Sequence, residues 1–92
     1  MNISLTSVET ALRSEDVEGY IEIHGAPGNE YDSEAKAISR ALGSLGKGKL
    51  TEDNIVAVIS FTWEKYFNLD STDIEKRIPA FHRIARILMT AR

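Results

Sequence analysis

Apolar positions recur along this chain at helical spacing. Val8, Ala11 and Leu12 form a short stripe near the start. Val17, Tyr20, Ile21 and His24 follow at i, i+3, i+4 and i+7, which is one face of a helix. Tyr31, Ala35, Ile38, Leu42 and Leu45 repeat at steps of 4, 3, 4 and 3, and Ile74, Ile78, Phe81, Ala85 and Leu88 do the same. Between these two lies a segment apolar on every side: Ile55, Val56, Ala57, Val58 and Ile59, then Phe61, Trp63, Tyr66 and Phe67. A helix apolar all round is covered on most faces, so 51–67 is expected to be a central helix with the others packed around it. Two segments have a strand as rival. Ile21 and Ile23 alternate around Glu22, and 55–59 is rich in β-branched residues. Helix is preferred for both, because a lone strand leaves its backbone unpaired and 51–67 is long with no internal turn signal.

Start and stop signals divide the pattern. Thr6 and Glu9 fit a capping box, and Ser14, Glu15 and Asp16 repeat a helix-start signal. Residues 25–28 read as a turn built on Gly25, Pro27 and Gly28. Asn29 is the expected N-cap of the next helix, with Glu30, Asp32 and Glu34 near its positive end. Gly43, Gly46 and Gly48 make 43–49 a flexible, basic connector. Thr51 opens the apolar helix, Asn68 closes it, and Asp70 or Ser71 caps the last one. Pro79 interrupts the final stripe. It predicts either a kink, or a short helix over 71–77 followed by a longer one with Pro79 in its first turn. The expected fold is all-α, one domain over 1–92, a compact bundle of four to five helices around the apolar one. Its expected core contains Leu12, Ile21, Tyr31, Ile38, Leu42, Ile55, Val58, Ile59, Phe67, Ile74, Phe81, Ile84 and Leu88.

Ninety-two residues suffice for one core but not for a core and an enclosed catalytic cleft. The 42% hydrophobic and 27% charged content is that of a folded globular chain. Cysteine is absent, which excludes disulfides, thiolate nucleophiles and cysteine-ligated zinc. The longest apolar run is too short to cross a bilayer, and no basic stretch leads into an apolar block at the start. The expected setting is the cytoplasm, bacterial, without membrane attachment.

Charge is divided unevenly. Residues 1–34 carry a formal −7 and residues 35–92 a formal +4, giving the net −3. The acids Glu15, Asp16, Glu18, Glu22, Glu30, Asp32 and Glu34 suggest a surface for a protein partner with a basic face. That points to a non-enzymatic protein-binding module, of which an immunity or antitoxin-type inhibitor is an instance. The bases Lys76, Arg77, Arg83 and Arg86 offer a second reading, phosphate contact by a nucleic-acid accessory protein. No Asn or Gln accompanies them for base reading, which favours an amphipathic face paired with the acidic half. Trp63 and Phe61 are either core or the surface of a homodimer.

Catalytic signals are weak. Residues 43–49 satisfy half of a phosphate-binding loop, but Leu50 stands where Ser or Thr should hold magnesium, and a helix precedes it instead of a strand. His24 and His82 are the only imidazoles and lack metal-ligand spacing. They read as a helix C-terminal cap and a neighbour of the basic face. Glu30, Asp32 and Glu34 lack the layout of a calcium loop, and no serine sits in a nucleophile elbow. No catalytic, cofactor-binding or metal residue is assigned, and a small enzyme would need a closed pocket beside His24 or His82.

The start Glu30, Tyr31, Asp32, Ser33 and Glu34, the following Ile38 and Leu42, the apolar helix ending in aromatics near Phe67, and the terminal Ile84, Ala85 and Leu88 form a pattern over about 26–90. It resembles the YugE-like group of small bacterial proteins. The resemblance implies a compact helical bundle and no activity. The chain departs from that group's pattern at Gly25, Ala26 and Pro27 and in the connector 43–49.

Overall fold

Ser4 starts the first helix, two residues before the expected Thr6. The computed structural model describes residues 3–19 and 31–91. Helix α1 spans Leu5–Glu15, and the Ser4 hydroxyl accepts a hydrogen bond from the Ser7 amide at 3.1 Å. Val8, Ala11 and Leu12 are buried, as their spacing predicts. The signal at 14–16 proves to be the end of a helix rather than the start of another. Asp16 is in the left-handed conformation, with φ of 44°, and its amide donates to the Leu12 carbonyl at 2.9 Å. A short polar side chain tolerates this backbone. Acids at a helix C-terminus oppose its dipole, and two distant residues compensate: Arg83 pairs with Glu15, and Tyr31 donates to Asp16. A turn follows, in which the Gly19 amide donates to the Asp16 carbonyl at 2.8 Å and Gly19 takes φ of 72°. Of the segment 17–24 expected to be helix, with a strand as rival, residues 17–19 form this turn instead, because left-handed Asp16 and Gly19 end the helical path. Its remainder at 20–24, the turn at 25–28, Asn29 and the core position Ile21 lie outside the described residues.

Helix α2 spans Asp32–Gly43, with Tyr31 as its N-cap residue in place of Asn29. Tyr31 makes no side-chain capping bond because its ring is drawn inward. It is 1% exposed, and its hydroxyl donates to Asp16 Oδ1 at 2.7 Å while accepting from the Glu18 amide at 3.1 Å. The glycine connector contains a 3-10 turn, Lys47–Lys49. It is tied at its far end by buried Leu50 and by the Asn54 side-chain amide, which donates to the Lys49 carbonyl at 2.8 Å.

Helix α3 spans Glu52–Phe67. It opens on Thr51, whose hydroxyl accepts from the Asn54 amide, and closes on left-handed Asn68, both as the sequence predicts. Helix α4 spans Ser71–Ala91, and the Asp73 amide is capped by Asp70 Oδ1 at 2.9 Å. It runs unbroken through Pro79. A proline deprives the carbonyl four residues earlier of its donor. Pro79 and Glu75 both lie on the exposed side, where water can serve that carbonyl.

Among the described residues the structure is all-helical. The principal packing runs α1 to α2, α2 to α3, α3 to α4, and α4 back to α1. Each helix thus has two main neighbours, and α3 is not set apart as a central one. Its buried residues are Ile55, Val56, Ile59, Thr62 and Trp63, while Ala57, Phe61, Glu64 and Tyr66 face outward. The all-round apolar composition therefore does not translate into all-round cover, because α2 and α4 can close only part of its circumference. The radius of gyration is 12.3 Å, in line with about 12 Å for a compact chain of this length.

Trp63 anchors the core. It is fully buried, stacked on Tyr31 at 5.9 Å, edge-on to Phe81 at 5.5 Å and tilted against Phe67 at 5.2 Å. Leu12, Ile38, Leu42, Ile55, Ile59, Ile74, Ile84 and Leu88 are buried as expected, and Val58 and Phe67 are partly so. Ile3, Val8, Ala11, Ala35, Leu50, Val56 and Ala85 join them. Burying each large side chain contributes roughly 1.5–3 kcal/mol against chain entropy.

Candidate functional site

Two of the acids and two of the bases read from the sequence as opposed charged surfaces pair with each other: Glu18 with Arg77 and Glu15 with Arg83. Glu18, in the turn after α1, lies against α4. Its Oε2 accepts from Arg77 Nε at 2.6 Å and from Trp63 Nε1 at 2.8 Å, and its Oε1 accepts from Arg77 Nη2 at 3.0 Å. Arg77 Nη1 also donates to the Asp73 carbonyl at 2.7 Å. Burial raises the Glu18 carboxyl, but hydrogen bonds from Arg77 and Trp63 and the Arg77 charge outweigh it and hold it below its ordinary value. A carboxyl kept ionised in this way is not placed to act as a general acid, which needs a raised value.

Three further side-chain pairs line α4. Arg83 Nε meets Glu15 Oε1 at 2.9 Å. His82 Nδ1 lies 2.6 Å from Glu52 Oε2, with Arg86 Nε at 3.3 Å from the same oxygen. Hydrogen bonding to His82 comes first among the causes that lower the Glu52 carboxyl, opposed by burial and aided by Arg86.

Of the seven acids assigned to a partner surface, Glu15, Asp16 and Glu18 thus face other parts of this chain, and Glu34 is 7% exposed. Asp32 is half-buried in the first turn of α2. Glu22 and Glu30 lie outside the described residues. Of the four bases, Arg77 and Arg83 pair with the acidic half, Arg86 pairs with Glu52, and Lys76 is exposed. Among the described residues no group of three His, Asp or Glu is arranged to hold a metal ion. His24 lies outside them. No helix among them is long and apolar enough to cross a membrane.

The outer side of the α2–α3 pair is different. Phe61 stands 68% exposed, and Tyr66 is 46% exposed. On one flank of Phe61 is a cleft of about 350 Å³. Half-buried Ala37 and Ala41 of α2 and buried Thr62 of α3 form its inner side, Phe61 and Tyr66 its walls. Exposed Arg40, Lys65 and Ser44 complete its lining. A second cleft, of about 320 Å³, also lined by Phe61, lies among Glu64, Lys65, Asn68 and Leu69. Phe61 is therefore an aromatic ridge between two hollows. The signal in the sequence was the helical wheel of α3: Ile55, Ile59, Thr62 and Trp63 share a face, which sends Phe61 to the opposite side. The cations Arg40 and Lys65 were not singled out, because they belong to different helices and meet only through packing.

Comparison with known protein families, with curated proteins and with solved structures gave no match to this chain.

Proposed function

We propose that this chain is a non-enzymatic protein-binding module that docks through the α2–α3 face, with Phe61 as its anchor. The observation that carries this reading is the 68% exposure of Phe61 between two clefts. A large aromatic held out in water beside hollows is the kind of group that dominates binding energy once a partner covers it. The acidic half favours a surface elsewhere, since Glu15, Asp16 and Glu18 already have partners within the chain. An immunity or antitoxin-type inhibitor is one instance of such a module, and the proposed setting is the cytoplasm. The likeness to the YugE-like group is part of this proposal and carries no activity. The nucleic-acid reading has less support, since Arg77, Arg83 and Arg86 are all ion-paired.

The test replaces Phe61 with benzoylphenylalanine, a photo-crosslinking side chain, in cells that make the protein natively. The expected result is one dominant adduct, identified by mass spectrometry and rebuilt from purified components, with binding lost in Phe61→Ala. The same crosslinker at Thr10, exposed on α1, should give no such adduct. Equal adducts at both positions, or unchanged binding by Phe61→Ala, would overturn the reading.

A further inference from the structure

We propose that the occupant of the α2–α3 cleft is an acidic amphipathic helix of another protein, its apolar side chains set against Phe61 and its carboxylates on Arg40 and Lys65. This rests on the reading of that face as a docking surface and adds the chemistry of the partner. The first argument is charge. The cleft is bordered by Arg40 and Lys65 and by no acid. Among the described residues neither cation joins an ion pair, whereas Arg77, Arg83 and Arg86 all do. Lys36, exposed one turn before Arg40 on α2, extends the same sign. A protein of net charge −3 thus keeps a local positive border on the α2 side of the aromatic ridge, while Glu64 lies in the second cleft.

The second argument is the lining. Ala37 and Ala41 are small and one turn apart, which allows another backbone to approach closely. Two of the three hydroxyls that line the cleft are satisfied within their own helices: Thr62 donates to the Val58 carbonyl at 2.9 Å and Ser44 to the Arg40 carbonyl at 3.2 Å, which leaves the Tyr66 phenol as the one polar tip on an otherwise apolar ring. No polar demand from these groups selects a polar ligand, so apolar side chains fit the interior and charge is read at the rim. That combination is how a groove between helices recognises an amphipathic helix.

A second copy of this chain fits less well. A two-fold contact centred on the cleft would bring the Arg40 and Lys65 borders of the two copies together, and a head-to-tail contact closes only where the rotation completes a ring. A different, acidic protein meets neither obstacle.

The test uses two synthetic helix-forming peptides about four turns long, identical in their leucines at i, i+3, i+4 and i+7. One is flanked by glutamates and the other by lysines. Each is titrated into the full chain labelled with nitrogen-15. The glutamate peptide should bind about tenfold tighter or better and weaken as salt rises. Its amide shift changes should centre on Ala37, Arg40, Ala41, Phe61 and Tyr66. Phe61→Ala should weaken it about thirtyfold, and the double variant Arg40→Glu, Lys65→Glu should reverse the preference between the peptides. All three changes are at exposed positions, and unchanged circular dichroism melts would confirm folding. Equal or tighter binding of the lysine peptide, shift changes on another face, or no binding of either peptide at millimolar concentration would overturn the proposal. So would a dimer in sedimentation that Phe61→Ala abolishes. The crosslink at Phe61 separates the two levels: an adduct to a basic segment leaves the docking surface standing and removes the acidic partner, whereas loss of the Phe61-specific adduct removes the docking surface itself.

Discussion

Glu18 and Arg77 form a two-point ion pair across 59 residues of sequence, and the same carboxylate accepts the indole N–H of Trp63. The pair fastens the turn after α1 to α4 directly over the aromatic core. Removing one member leaves a half-buried charge without its fork-shaped partner. Arg77→Met should therefore lower stability by about 1–3 kcal/mol, read as a drop in the urea midpoint with an unchanged m-value. Glu18→Gln on its own should cost less, since the amide still accepts from Trp63. A double-mutant cycle should return a positive coupling between the two sites.

Acid should loosen the fold through the same carboxylate. The folded-state value of Glu18 lies below its ordinary value of 4.5, and that of Glu52 does too. Groups lowered in this way take up protons more readily in the unfolded chain. Their contribution is complete above the unfolded value and is lost as pH falls through the folded one. Stability measured by urea titration should hold steady down to about pH 5 and then fall. In Glu18→Gln the fall should be shallower. An acid limb of the same slope in wild type and variant would contradict the assignment.

Phe61 and Trp63 should respond in opposite ways to truncation. Phe61→Ala at a 68% exposed position should change stability by no more than about 0.5 kcal/mol. Trp63→Ala at a fully buried position should cost about 3–5 kcal/mol, a large part of what a small domain has. Trp63 is also the only tryptophan. Its emission should be blue-shifted in the native protein and move to longer wavelength in step with unfolding.

Ser60 offers a stabilising change. Its hydroxyl is buried on α3 without a hydrogen-bond partner. Ser60→Ala removes that orphaned group and supplies the best helix former. It should raise stability by about 0.5–1 kcal/mol, seen as a higher melting temperature. A lower melting temperature would mean that the hydroxyl is satisfied in solution.

Local signals and long-range pairing were not equally readable. The stripes of α2 and α4, the Thr51 cap and the Asn68 stop depend on residues within a turn or two of each other, and the structure places them where the pattern does. Local signals misled where a distant group intervened. Asp16 ends a helix because Tyr31 and a left-handed backbone accommodate it, and Tyr31 displaces Asn29 as the cap because its ring belongs to the core. Pro79 stays inside one helix because its side of α4 faces water.

The amino-acid sequence alone determined that the chain is helical, roughly where its helices run and which face of α2 and of α4 is greasy, because periodicity and capping are properties of neighbouring residues. Only tertiary packing decided which charges are used up and what is left outside. Phe61 and Trp63 sit two residues apart in a uniformly apolar helix, turned about 200° from each other. The helical wheel sets them on opposite faces, and packing decides which face meets Tyr31 and Phe81 and which meets solvent. The same is true of Glu18, Arg77, Arg40 and Lys65, whose partners or solitude arise from segments brought together across the fold.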